Sequence, residues 1–159
     1  MKAIYENILG AVGRTPLVRL GKIGKGLKAT LLAKVEYTNP GGSVKDRVAV
    51  RMIEDAVKKG LIRPGGVIVE ATAGNTGVGL AMVAAIKGYR CIFVLPDKMS
   101  EDKISLFRAY GAEVVVTPTS VPPDSPESYN EVADRLSREI PGAFRPNQFA
   151  NPELSLIHI

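Results

Sequence analysis

Residues 67–95 read VIVEATAGNTGVGLAMVAAIKGYRCIFVL, and this pattern decides the fold. Val67–Ala71 is a short, nearly all-apolar run, preceded by Pro64-Gly65-Gly66, and reads as a strand. The loop Ala73-Gly74-Asn75-Thr76-Gly77 follows. A small-residue helix is predicted from Val78 to about Lys87, stopped by Gly88. Arg90–Leu95 is a second apolar strand, closed by Pro96. Strands with no wet face, joined through a helix, describe a parallel sheet covered by helices on both sides.

The alternation continues in both directions. Ser100 is placed to cap a helix whose first turn carries Glu101 and Asp102, favourable at the positive end of a helix dipole. Gly111 ends that helix, and Glu113–Val116 reads as a strand. Thr117–Pro126 holds Pro118, Pro122, Pro123 and Pro126 of the chain's 11 prolines and reads as a surface loop. Pro126–Glu139 is a predicted helix with Val132, Leu136 and Ile140 on one side. Upstream, Ala29–Tyr37 reads as a strand and Asn39–Ser43 as a turn, with Ser43 capping a helix that runs to about Lys59. Val44, Val48, Met52, Ala56 and Val57 form its apolar face. In sheets of this class ligands bind beyond the C-terminal ends of the strands. That rule selects two loops, the one before Lys45 and the one around Asn75.

Composition narrows the chemistry. With 159 residues, 45% hydrophobic and 23% charged, the chain is an ordinary globular domain or a large piece of one. The net charge of +5 is spread along the chain without a basic stripe interleaved with aromatics. A nucleic acid is therefore not expected, and the positive charge suits a small anionic ligand equally well. No apolar run approaches the roughly 18 residues of a membrane span, and MKAIYENILG lacks the features of a secretory leader. The lone Cys91 lies in an apolar run, fits a reducing cytoplasm, and reads as a buried hydrophobe. The one histidine, His158, is second from the end. Histidine-dependent nucleophiles and metal sites are thus not expected, and proton transfer falls to Lys, Asp, Glu or Tyr.

Two segments carry candidate chemistry. In Asn39-Pro40-Gly41-Gly42-Ser43-Val44-Lys45-Asp46-Arg47 a tight glycine turn delivers Lys45 to the first turn of a helix, just past a strand end. A lysine that attacks a carbonyl must be neutral, a form favoured beside the positive end of a helix. On spacing alone, a lysine on a solvated helix face remains the alternative. In Glu70-Ala71-Thr72-Ala73-Gly74-Asn75-Thr76-Gly77 a strand end meets a helix start. Free backbone N–H groups there can bind a carboxylate or phosphate, and Thr72, Asn75 and Thr76 can add side-chain bonds. A helix cap with close helix–sheet packing is the alternative. Gly74, Gly77 and Gly79 give G-x-x-G-x-G, the wrong spacing for a dinucleotide turn.

NPGGSVKDR and EATAGNTG, in this order and separation, resemble the cofactor-lysine and substrate-loop motifs of the cysteine synthase/cystathionine β-synthase family. Gly13-Arg14-Thr15-Pro16-Leu17-Val18-Arg19-Leu20 is similar to that family's opening strand, and the resemblance runs from about Ile4 to Pro152. It implies a three-layer α/β fold with a parallel sheet, the tryptophan synthase β-subunit-like fold type II, and a pyridoxal 5'-phosphate cofactor. It implies Lys45 as the catalytic, cofactor-holding lysine and Asn75 as the partner of the cofactor's ring hydroxyl. It places Thr72, Ala73, Gly74 and Thr76 on the substrate carboxylate, with Gln148, in Asn147–Pro152, as a second carboxylate contact. The family usually has serine where this chain has Ala73, a departure that bears on substrate preference.

The reaction implied is β-replacement on serine or O-acetylserine by a thiol, with homocysteine giving cystathionine and sulfide giving cysteine. Pro96–Ser100 and Thr117–Ser128 look closer to cystathionine β-synthases, and Val44, where threonine dehydratases carry phenylalanine, argues against that sister group. The family binds the cofactor phosphate in a loop of its second half, which has no counterpart here. The expectation is therefore that residues 1–153 are the N-terminal part of such an enzyme, incomplete, and homodimeric when full-length. Leu154–Ile159 resembles a translated library adapter and is expected to be a cloning scar, with a final strand as the alternative. A non-catalytic binding or scaffold fragment of the same fold is the rival reading.

Overall fold

The computed structural model describes residues 4–156; His158 and the rest of 157–159, the end of the expected scar, lie outside them. The central sheet has four parallel strands: β3 (Val67–Ala71), β4 (Arg90–Pro96), β5 (Glu113–Thr117) and the two-residue β6 (Ala143–Phe144). Their order is β5-β4-β3-β6. Val69 pairs with Ile92, Val94 with Val115, and Val67 with Ala143.

Both faces of the sheet are covered, as its apolar strands require. On one face α1 (Lys45–Lys58), α2 (Asn75–Lys87) and α3 (Glu101–Ala109) enclose Val48, Met52, Ile53, Ile68, Leu80, Phe93 and Phe107. Phe93 and Phe107 lie with ring centroids 4.8 Å apart at 57°, a tilted pairing of two fully buried rings. On the other face α4 (Tyr129–Glu139) packs Val132 and Ala133 onto Val67, Val69, Ile92 and Val94. Strand alternation explains the division, since Ile92 and Val94 serve one core and Cys91, Phe93 and Leu95 the other.

Several expected boundaries move. The strand read at Ala29–Tyr37 shrinks to β2 (Leu32–Lys34), which pairs antiparallel with β1 (Leu17–Arg19) outside the parallel sheet. Beyond it the chain turns, because Asn39 Nδ2 donates to the carbonyls of Glu36 and Ser43 at 2.8 and 3.0 Å, bonds that compete with a ladder. The apolar face of α1 is rotated from the expected one: Ala49 and Ile53 are in the core, whereas Val57 is 42% exposed. Helix α4 starts at Tyr129 rather than Pro126, because the Ser128 hydroxyl accepts the Glu131 N–H and supplies the cap. Glu153–Leu156 forms a short helix, α5, rather than a strand, and Glu153 pairs with Arg51 of α1 at 3.2 Å.

The largest shift is in α2. It begins at Asn75, with Gly74 at the N-cap, three residues before the expected start. Gly77 and Gly79 are poor helix formers, but here they let the helix be buried. A Cβ at Gly77 would meet Phe107 at 2.7 Å, and one at Gly79 would meet Ala49 Cβ and the Lys45 carbonyl at 2.9 Å. Tertiary packing overrides propensity, and Asn75 and Thr76 become first-turn residues.

Candidate active site

The turn before Lys45 is shaped from inside. Asp46, with no solvent exposure, turns its Oδ2 back to accept the Gly41 N–H at 2.5 Å. A Cβ at Gly41 would collide with that carboxylate, so only glycine fits. Burial raises the Asp46 pKa, with the Gly41 N–H opposing and the charge of Glu36 adding. The Ser43 hydroxyl accepts the Lys45 N–H at 3.1 Å, but the N-cap is Val44 and carries no side-chain cap bond, so Ser43 holds the turn rather than capping α1 as expected, and Lys45 is the first helical residue.

Arg47 turns away from Lys45. Its Nε and Nη2 donate to Glu36 at 2.8 and 3.0 Å, and Nη2 also reaches Thr15 Oγ1 at 3.1 Å. These bonds, with those of Thr15 and Asn39, hold the Glu36 carboxyl down at about 2. Asn39 Oδ1 accepts the Gly13 N–H at 2.8 Å, which fastens the opening segment to the Lys45 turn.

Residues from both selected loops open onto one cleft of about 700 Å³. Lys45, Thr72, Ala73, Gly74, Asn75, Thr76 and Gln148 all line it. The N–H groups of Asn75 and Thr76 lie in the first turn of α2 and have no carbonyl partner within the helix. Thr72 and Thr76 are buried, whereas Asn75 is exposed to the cleft. Gln148, 72 residues from Thr76, accepts its hydroxyl at Oε1 with a distance of 2.5 Å. That bond uses the Thr76 hydrogen and leaves the Gln148 amide NH₂ as the donor for a bound carboxylate.

Sequence reading missed the outer part of the cleft. Lys98, Met99, Thr119, Tyr129, Asn130 and Phe149 also line it. The signal was available, since residues 96–100 and 118–128 follow the C-terminal ends of β4 and β5, where the strand-end rule places ligands. Asp97 Oδ1 accepts the Thr119 N–H and hydroxyl at 3.1 and 2.6 Å, which binds these two loops into one wall. Among the described residues the lining includes Lys45 and Lys98 and no carboxylate, a suitable field for an anion. Cys91 lies outside the cleft, 3% exposed, and burial pushes its thiol far up, as a core residue rather than a nucleophile.

Comparison with known proteins gives the family. The chain matches the family of pyridoxal-phosphate dependent enzymes over residues 8–158, and it belongs to that family. It is 55% identical to a cystathionine beta-synthase of Oryctolagus cuniculus, over 98% of this chain and 28% of that protein. It is 44% identical to a cysteine synthase 1 of Neurospora crassa, over 99% of this chain and 42% of that one. A hydrogen sulfide-producing enzyme from Fusobacterium nucleatum superimposes with a TM-score of 0.88 at 40% identity, covering 99% of this chain and 50% of that structure. The chain therefore spans about half, or less, of the length of these relatives.

The donor set suits the family's cofactor. Lys45 offers a primary amine for an aldehyde, Asn75 an amide for a ring hydroxyl, and among the described residues no carboxylate lines the cleft to repel an anion.

Proposed function

We propose that this chain is the lysine-bearing part of an enzyme of sulfur amino-acid synthesis that replaces the β-substituent of serine or O-acetylserine with a thiol, homocysteine or sulfide. The observation that carries the reading is the convergence of Lys45, Asn75, the 72–76 loop and Gln148 on one cleft. The relatives named for cystathionine and cysteine synthesis support the reaction class and leave the thiol open between these two.

Bound in the cleft, pyridoxal phosphate supplies an electron sink for negative charge at the Cα of the amino acid. Lys45 Nζ would hold the cofactor carbonyl and, once displaced by the incoming amine, accept the proton from Cα. General-base catalysis of this kind contributes about 10²–10⁴-fold. Asn75 would orient the ring through its hydroxyl. The substrate carboxylate would lie against the first-turn N–H groups of α2 and the Gln148 amide, with Thr76 holding that amide in place. Ala73 offers only a methyl group where a serine would add a hydroxyl, so backbone donors carry more of the recognition there.

The test is attachment of the cofactor. Purified chain incubated with pyridoxal phosphate and then sodium borohydride should carry a pyridoxyl group on Lys45, located by peptide mass spectrometry. Lys45→Ala should abolish it, and Lys58→Ala, on an exposed turn of α1, should not. Labelling spread evenly over surface lysines, unchanged in Lys45→Ala, would refute the assignment and favour a scaffold fragment of the same fold.

A further inference from the structure

We propose that Asp46 is a positioning residue for Lys45: its buried carboxylate grips the Gly41 end of the glycine turn and sets where the Lys45 amine enters the cleft. This rests on the proposed role of Lys45 as the cofactor-holding residue.

Asp46 follows Lys45 in the first turn of α1. An acid there ordinarily faces water and steadies its own helix through the dipole. Asp46 has no solvent exposure, and its bond leaves the helix altogether. Oδ2 accepts the N–H of Gly41, five residues back, at 2.5 Å, while Oδ1 has no bonded partner among the described residues. Burying a carboxylate that is only half satisfied carries a cost. Burial also raises the Asp46 pKa, so ionised Asp46 takes stability away as pH rises. Val48, Ala49 and Met52 already give this part of α1 its core contacts, so packing does not account for an acid here.

What the carboxylate secures is the least constrained part of the turn. Gly41 and Gly42 lack the side chains that restrict a backbone, and Gly42 sits at φ +78°. Among the described residues the Gly41 N–H has no partner but Asp46. A second side-chain bond crosses the first. Asn39 Nδ2 reaches forward to the Ser43 carbonyl at 3.0 Å as Asp46 reaches back, and the Gly42 N–H donates to the Asn39 carbonyl at 2.8 Å. Residues 39–46 are thus braced from both ends.

Helix α2 closes on the same two residues from the other side. A Cβ at Gly79 would lie 2.9 Å from the Lys45 carbonyl and 3.3 Å from Asp46 Cα. Gly79 stands one turn after Asn75 in that helix. The brace therefore fixes Lys45 against the helix that carries the other cofactor-facing group. Placement of this kind has kinetic weight, since a shift of about 1 Å can cost about 10²-fold in rate.

The test compares pyridoxal phosphate attachment at Lys45 and at Lys58 in the same molecules, by timed borohydride trapping and peptide mass spectrometry. Asp46→Ala should slow attachment at Lys45 by about tenfold and leave Lys58 labelling and the circular dichroism spectrum unchanged. Asp46→Asn keeps an acceptor oxygen for the Gly41 N–H and should stay within about threefold of wild type. Gly41→Ala drives a methyl group into the carboxylate and should slow Lys45 alone. In the Asp46→Ala background that collision is gone, and Gly41→Ala should change the rate by less than about twofold. Additive losses, an Asn variant as slow as the Ala variant, or wild-type labelling of Lys45 in Asp46→Ala would overturn the proposal. If Asp46→Ala does not fold, Gly41→Ala in the wild-type chain decides it: selective slowing at Lys45 supports the proposal and an unchanged rate refutes it. A wild-type chain labelled evenly over its lysines would sink the proposed function itself, before any variant is compared.

Discussion

Glu36→Gln removes a charge and keeps the shape at the knot that anchors the Lys45 turn. Glu36 accepts from Arg47 Nε at 2.8 Å and Nη2 at 3.0 Å, from the Thr15 hydroxyl at 2.6 Å and from Asn39 Nδ2 at 2.9 Å. Its carboxyl is lowered from 4.5 to about 2, chiefly by the Arg47 bond. A folded pKa below the unfolded one adds stability that is present above about 4.5 and lost as pH falls towards 2. The full linkage is about 3 kcal/mol at neutral pH. The side chain is 19% exposed, and solvent screening reduces this to about 2 kcal/mol. Urea unfolding followed by circular dichroism should give that loss for Glu36→Gln at pH 7, shrinking to about 1 kcal/mol at pH 3. A loss below about 0.5 kcal/mol at pH 7, or one that grows on acidification, would refute the reasoning.

Two further substitutions probe the site and its support. Gly79→Ala places a methyl group 2.9 Å from Ala49 Cβ and the Lys45 carbonyl, so α2 must move off α1. A loss of about 1–3 kcal/mol in urea unfolding is expected, and an unchanged midpoint would mean the helices separate freely. Ala73→Ser restores a hydroxyl on the cleft wall. It should change the affinity for L-serine and leave the visible spectrum of the bound cofactor alone, whereas the reverse pattern in titration and absorbance would place the loop elsewhere.

The sheet was legible where burial is symmetrical. Val67–Ala71 and Arg90–Leu95 have water on neither face, so their composition alone marks them as central strands, and β3 has the expected bounds. Boundaries failed where a side chain competes with the backbone. Asn39 ends a strand early, Ser128 starts a helix late, and neighbours that meet only after folding bury Gly77 and Gly79 in a helix. Lys45, the 72–76 loop and Gln148 were drawn together by a family resemblance, and the cleft brings all of them to one place. The approach of Arg145 to Glu70 was not legible, because the two lie 75 residues apart and nothing local distinguishes a buried acid in an apolar run.

The two walls of the cleft are secured at very different distances along the chain. Lys45 and Asn75 belong to helices that touch at Gly79, so the two residues are carried on one unit with the deepest core. Gln148 instead hangs from β6, two residues paired only with Val67 and Ile68. Local openings draw on the least-paired segments first. The segment after β6 is therefore expected to open before the part of the cleft that carries Lys45 and Asn75.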